Sequence, residues 1–248
     1  MKTMGKWMVG TLAAAMLSGC ASQSQQAANP VDPWEGFNRQ VYAFNDVIDR
    51  YALKPVAQGY DFITPEPVQT GVGNFFSNLG EIRTTINSVL QWKWANAGVS
   101  TGRFLVNSTL GIGGLLDPAT QMGLTVHKED FGQTLAVWGV DAGPYVVLPL
   151  LGGRTLRHTG AIPADIYSDP VTYIEDDTTR WGLRFLELVD LRASFLDQEK
   201  LIRGDRYIFL RDTYLQRRQF MINDGETGAD PFASGEFDFD IDDGDFAE

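Results

Sequence analysis

The sequence predicts a mostly α-helical protein, and three observations carry that prediction. Apolar residues recur at helical spacing in several long stretches. Proline and glycine punctuate the ends of those stretches. No strand-rich pattern or internal repeat appears. The first stretch opens at Asp32-Pro33-Trp34-Glu35, with Asp32 read as the cap, Pro33 as the first helical residue and Glu35 as the close of a capping box. Phe37, Val41, Phe44, Ile48 and Tyr51 follow on one face, and Pro55 is expected to stop the helix. Thr64-Pro65-Glu66 opens a second helix, with Val68, Val72, Phe75, Phe76, Leu79, Ile82, Ile86 and Leu90 as its apolar face. Residues 95 to 110 give a third, with Phe104, Leu105 and Val106 as an apolar patch and the glycines at 111, 113 and 114 as its end. Residues 135 to 151 hold too much Gly and Pro for a regular element and read as a hairpin or a broken helix pair. Helical periodicity returns after Asp165. Trp181, Phe185, Leu188 and Phe195 share a face, and residues 206 to 221 form a last helix with Tyr207, Leu210 and Tyr214 aligned.

The N-terminus reads as an export signal. Lys2 and Lys6 precede a short apolar stretch over residues 7 to 17, well under the roughly 20 residues that a membrane-spanning helix needs. The segment closes with Leu17-Ser18-Gly19-Cys20, which looks like a bacterial lipobox. Small residues before the cut suit a peptidase, the Cys20 thiol takes a diacylglycerol, and its freed amine takes a further acyl chain. An ordinary buried cysteine behind a signal is the alternative. Removing residues 1–19 leaves 229, and a three-chain anchor holds a protein stably on a membrane. Ala21, where an Asp commonly marks inner-membrane retention, favours the outer membrane, with the body on the periplasmic side. Residues 20–31, rich in Ala, Ser, Gln and Asn, read as a flexible tether, and residues 32–223 as the folded body.

The net charge of -12 is unevenly spread. Residues 224–248 carry ten acidic residues and no Lys or Arg, which leaves about -2 for the rest. Such a run reads as a disordered acidic tail, or as an arm steering a basic partner. Lys200, Arg203, Arg206, Arg211, Arg217 and Arg218 make the last helical region basic: a solvated face, or contact with lipid phosphates or an acidic partner. Nucleic acid is disfavoured in an exported chain without a matching basic patch.

One enzyme signature occurs. Gly98-Val99-Ser100-Thr101-Gly102 matches the lipase nucleophile elbow, for which His127 or His158 offers a base and Asp117, Asp130 or Asp141 an orienting carboxylate. That motif works only between a strand and a helix, and residues 92 to 97 are not an apolar strand, so small residues for close helix packing are the alternative. Two histidines and one cysteine supply no H-E-x-x-H and no zinc cluster, and Gly111-Ile112-Gly113-Gly114 lacks the end of a dinucleotide fingerprint. No cofactor is expected beyond the covalent lipid on Cys20.

An ordered set of segments resembles the MlaA (VacJ) family of outer-membrane lipoproteins. It runs through Asp32-Pro33-Trp34-Glu35-Gly36-Phe37-Asn38-Arg39, Phe44-Asn45, Lys54-Pro55-Val56, Asn74-Phe75-Phe76-Ser77-Asn78-Leu79 and Arg103-Phe104-Leu105-Val106-Asn107-Ser108-Thr109-Leu110-Gly111. It continues through Gly113-Gly114-Leu115-Leu116-Asp117, Asp130-Phe131-Gly132-Gln133-Thr134-Leu135, Gly143-Pro144-Tyr145 and Leu148-Pro149-Leu150-Leu151-Gly152. The resemblance implies a ring-like arrangement of amphipathic helices lying in one membrane leaflet, with a central channel. Through it, phospholipids misplaced in the outer leaflet would pass to a soluble periplasmic carrier, with a trimeric porin holding the ring and no reaction catalysed. The acidic tail is outside the resemblance.

The task sets chemical demands. Two acyl chains hold about 30 methylenes at about 0.8 kcal/mol each, so escape into water costs on the order of 20 kcal/mol. The head group is costly in the apolar core instead, so a passage must be wet for one end and greasy beside the other. Phe37, Phe44, Ile48, Phe75 and Phe76 are candidates for facing acyl chains, and Trp34, Trp92, Trp94 and Trp138 for the interface; the core of a soluble bundle is the alternative for all of them. The stretch over 139 to 154 resembles the family's channel-side hairpin, with Gly139, Gly143, Pro144, Tyr145, Pro149 and Gly152 as its shaping residues and opening control as its expected role. Phe44-Asn45 is expected to fix which leaflet the pore reaches. The competing classes are a membrane-bound lipase using Ser100 and a structural or virulence-associated surface lipoprotein.

Overall fold

The structure is a computed structural model and describes residues 30–225. The signal, Cys20, nearly all of the tether and the acidic run beyond Gly225 lie outside the described residues. Helix α1 (Glu35–Ile48) leads through a π-helical turn (Asp49–Leu53) into α2 (Lys54–Ile63). Pro55 therefore does not stop the helix, contrary to expectation. It sits in the first turn of α2, where the wider π turn absorbs the missing N–H. The start of α1 also differs: Trp34 holds the cap position with no side-chain cap, because Asp32 is buried on other business.

Helix α3 (Glu66–Leu90) opens after Pro65, and α4 (Trp94–Thr109) packs along it. Gly111 ends α4 where a side chain has no room: a Cβ there would lie 2.4 Å from the carbonyl oxygens of Asn107 and Leu116. The short α5 (Pro118–Gln121) and α6 (Phe131–Val137) are capped by Asp117 and Asp130. The hairpin reading of the Gly/Pro-rich stretch is borne out. Strands β1 (Tyr145–Leu148) and β2 (Gly152–Thr155) pair antiparallel, Tyr145 opposite Thr155 and Leu148 opposite Gly152. Leu150 and Gly152 take positive φ to close the turn. Helix α7 (Leu156–Tyr167) starts earlier than its pattern suggested, capped by Thr155 and tolerating Pro163. Then come α8 (Asp177–Ser194) and α9 (Arg206–Ile222), capped by Asp176 and Asp205. The body is mostly helical, and no described helix is long and apolar enough to cross a membrane.

The packing closes on itself. Helix α2 lies against α8, α8 against α3, α3 against α6, α6 against α9, α9 against β2, and the hairpin returns to α1. Polar contacts lock the α2–α8 joint: Arg192 grips Asp49 with two bonds of 2.7 and 2.9 Å, and Tyr60 donates to Asp190 at 2.8 Å. Such a circuit leaves little dry core. Among the described residues, 17 buried residues are polar or charged and 10 are apolar, while 39 large apolar residues stay exposed. This inverts the arrangement that water favours.

Candidate functional site

The polar interior is built as three knots. In the first, Arg103 of α4 is only 2% exposed. Its guanidinium donates to Glu81 (2.7 Å), Asp117 (3.0 Å), Thr120 (3.0 Å) and the Leu124 carbonyl (2.7 Å). One planar fork thus ties α3, α4 and α5. Burial works against the Asp117 carboxylate, but hydrogen bonds from Thr120, Asn107 and Arg103 outweigh it and hold its pKa at about 2. Ser100 lies beside this knot, mid-helix and fully buried, where its hydroxyl favours the charged form of the Glu81 carboxylate. The G-x-S-x-G motif is therefore a helical segment and not a nucleophile elbow. His127 and His158 are not hydrogen-bonded to Ser100, and Asp141 is exposed.

The second knot seats the hairpin. Asn38 donates to the Tyr145 carbonyl (3.0 Å) and accepts from the Val147 N–H (2.9 Å). Asn45 donates to the Leu148 carbonyl (3.0 Å) and accepts from the Leu150 N–H (2.8 Å). Seven helical residues and three strand residues both span about 10 Å, so two side-chain amides stand in for a neighbouring strand. Asn45, expected on the membrane face, is instead a hairpin anchor. Asp32 is buried where it accepts from Asn38, Tyr207 and Arg211, and Tyr145, Tyr207 and Val147 pack as a small apolar cluster behind it. Gly153 has no space for a side chain, because the Tyr145 hydroxyl fills it. Gly139 and Gly143 use positive φ on the approach to β1, and Pro144 and Pro149 bracket the strand.

The third knot centres on Asp130, His158 and Tyr214. Arg218 holds both oxygens of Asp130, and this charge outweighs burial to keep the carboxylate at about 2. Burial, reinforced by Arg218, pushes His158 down to about 4, so it is neutral at neutral pH. Arg154 lies 3.1 Å from His158 Nε2 and can only donate. The ring proton is therefore on Nδ1, facing Tyr214 Oη at 2.9 Å. Asp165 completes a group whose ligand atoms lie within 4.8 Å of one another, but Arg218, Arg154 and the Phe131 N–H already occupy them. The basic end of the chain is thus divided: Arg211 and Arg218 are buried ion-pair partners, whereas Lys200, Arg203 and Arg217 are exposed.

Three cavities run between these knots. One of about 960 Å³ lies by Trp92, Trp94 and Phe220. It shares His127, Lys128 and Glu129 with a second of about 480 Å³ under α3 and α8. That one shares Arg83, Asp130 and Leu191 with a third, also about 960 Å³, bounded by Leu151, Arg154, Trp181 and Phe195. Leu151 and Arg154 bring the hairpin to the wall of the third chamber. Phe76, expected to face acyl chains, lines the second cavity, with Phe75 edge-on to it. Phe37 and Phe44 are more than half exposed on α1, Trp34 nearly so, and Ile48 is half-buried. Trp138 is half exposed and donates to the Leu90 carbonyl. Sequence reasoning missed the inward polar faces; the signal that could have found them is polar residues such as Asn38, Glu81 and Arg103 inside apolar stretches.

An outward apolar surface around buried polar knots defines a class: a mostly helical, membrane-associated protein. Comparison with known proteins narrows this. The MlaA lipoprotein family matches residues 30–221, and the chain belongs to that family. It is 37% identical to the intermembrane phospholipid transport system lipoprotein MlaA of Escherichia coli (strain K12), covering 87% of this chain and 88% of that protein. The protein of the same name from Haemophilus influenzae is 36% identical over 88% of this chain and 91% of its own length. A chain solved in work on the structural basis for maintenance of bacterial outer membrane lipid asymmetry superposes with a TM-score of 0.69 at 37% identity, covering 77% of this chain and 99% of that one.

Proposed function

We propose that this chain is a non-catalytic lipid-transport lipoprotein, anchored through lipidated Cys20 on the periplasmic side of the outer membrane. It takes phospholipids misplaced in the outer leaflet and passes them to a soluble periplasmic carrier, held in place by a trimeric porin. The single observation that carries this reading is the inversion: among the described residues, 39 exposed large apolar residues accompany buried polar knots and neighbouring cavities. Acyl chains find apolar surroundings outside, and a charged head group finds charged and polar side chains in the cavity walls. The names of the relatives agree with a transport role. Residues such as Phe37, Phe44 and Trp34 would meet lipid, and the hairpin over 145 to 155 would adjust the opening that Leu151 and Arg154 border.

The test is the level of phospholipid in the outer leaflet of cells with and without the protein. A rise on deletion, reversed by the wild-type chain and not by a Cys20→Ala form, is expected. Unchanged asymmetry on deletion would leave a structural surface lipoprotein instead. A crosslink fixing β2 to α1 that leaves lipid movement intact would remove the hairpin's gating role.

A further inference from the structure

The third chamber is lined by five arginines: Arg83, Arg154, Arg180, Arg184 and Arg217. Three carboxylates face the same space, Asp130, Asp165 and Asp169, and His158 is the remaining titratable group. The walls therefore carry a net charge of +2. The ion pairs show where this excess sits. Arg184 is paired with Asp169 at 2.6 Å, Arg180 with Asp177, and Asp130 is taken by Arg218 from outside the chamber. That leaves Arg83, Arg154 and Arg217 without a carboxylate in ion-pair contact among the described residues, against Asp165, whose charge acts on Arg83; of the three, Arg83 and Arg154 are those whose Nε is buried with no hydrogen-bond partner. A buried guanidinium N–H left unpaired is costly, and a guanidinium fork fits the oxygens of a phosphate.

Apart from Thr172, the rest of the chamber is apolar: Leu151, Ile162, Ile166, Trp181, Leu191 and Phe195. Trp181 is 69% exposed and Phe195 40%, so the greasy side opens outward. Unpaired guanidiniums and exposed apolar side chains lining one chamber match an amphiphile with an anionic head.

We infer that Arg83 and Arg154 form a binding site for the phosphodiester of a phospholipid in transit, with the Trp181–Phe195 wall receiving the start of its acyl chains. The inference rests on the lipid-transport reading and gives that reading a defined station. Arg83 comes from α3 and Arg154 from β2, so an occupant would bridge the fixed helical side and the hairpin. Neutral His158 holds Arg154 from below through its Nε2 without competing for the phosphate charge.

The experiment is binding to the full lipidated chain in amphipol, with three probes: dihexanoylphosphatidylglycerol below its micelle concentration, dihexanoylglycerol, which lacks the phosphate, and inorganic phosphate. The wild type should bind the phospholipid at least tenfold more tightly than either other probe. R83Q/R154Q should lose on the order of tenfold or more for the phospholipid and little for dihexanoylglycerol, since charged hydrogen bonds of this kind are worth that much. R83K/R154K should keep part of the affinity. Equal phospholipid binding by a folded R83Q/R154Q and the wild type overturns the site. So does dihexanoylglycerol binding as tightly as the phospholipid to the wild type, a measurement that needs no variant. Inorganic phosphate binding as tightly as the phospholipid makes it a free-phosphate site and overturns the lipid assignment. A wild type that takes up neither lipid probe overturns the transport reading itself, and this station with it.

Discussion

The Arg103 knot and the hairpin seat solve the same problem in opposite ways. Both hold buried polar groups inside a body that turns its apolar side outward. Arg103 does so with charge: one guanidinium reaches Glu81, Asp117, Thr120 and a carbonyl across three helices. The hairpin is seated by neutral amides, four bonds from Asn38 and Asn45 to the backbone of β1 and its turn. A buried charge pair is costly to break, because each partner is left uncompensated. A neutral amide bond to backbone is worth about 1 kcal/mol net and exchanges readily with water or lipid oxygens. The molecule thus has a fixed side and a releasable side, and the chamber with Arg83 and Arg154 lies between them.

The comparison breaks first at Arg103. Arg103→Met should strand Glu81 and Asp117 and cost about 3–5 kcal/mol. Thermal melting in detergent should then drop by on the order of 10 °C. Loss of only a degree or two would mean that water already screens the knot. Next comes Asn38→Ala, which should cost about 2 kcal/mol, because Asp32, the Tyr145 carbonyl and the Val147 N–H all lose a buried partner. Asn45→Ala should cost about 1 kcal/mol and act locally. Hydrogen exchange separates the two: the first exposes the Val147 amide, the second the Leu150 amide. If both variants release both amides together, the hairpin comes off as one unit.

Titration sharpens the same contrast with a smaller effect. His158 is held at about 4, below its ordinary 6.5, so the unfolded chain binds a proton first as pH falls. Stability from this group should fall between about pH 6.5 and pH 4. Asp130 has the other pattern: its stabilising ionisation should be lost only as pH drops from about 3.8 towards about 2. His158→Gln should flatten the upper window by on the order of 5 °C in melting temperature and leave the lower one. An unchanged slope between pH 6.5 and pH 4 would refute the buried, neutral histidine. The smallest effect belongs to Ser100→Ala. Its hydroxyl serves only Glu81, whose main partner Arg103 stays in place, so stability should change by about 0.5 kcal/mol and outer-leaflet phospholipid not at all. A lost phenotype with a folded variant would reopen the hydrolase.

Much of the helical frame was legible because caps and periodicity are local. Pro65 before α3, the apolar period of α8 and the Gly/Pro-rich hairpin all read correctly. Pro55 misled because a π turn, set by the chain's path around the ring, removes the clash that normally ends a helix. Asp32 looked like a cap because Asp-Pro-x-Glu is a capping pattern; only the tertiary partners Tyr207 and Arg211, some 175 residues away, show its place. The site was less legible for one physical reason. Periodicity finds the apolar face of a helix but not which way that face looks. In this molecule many polar side chains look in, and the sequence alone does not tell that Asn45 holds the hairpin or that Phe76 borders a cavity. Arg83 and Arg154 are single charges in otherwise ordinary elements, and only the closed circuit brings them together.

Asn38 and Asn45 lie two turns apart, along nearly one line of α1. Because one rigid helix carries both amides, any slide or roll of α1 acts on all four bonds together. The seating of the hairpin, and with it the border that Leu151 and Arg154 give the chamber, is therefore set by the placement of that one helix.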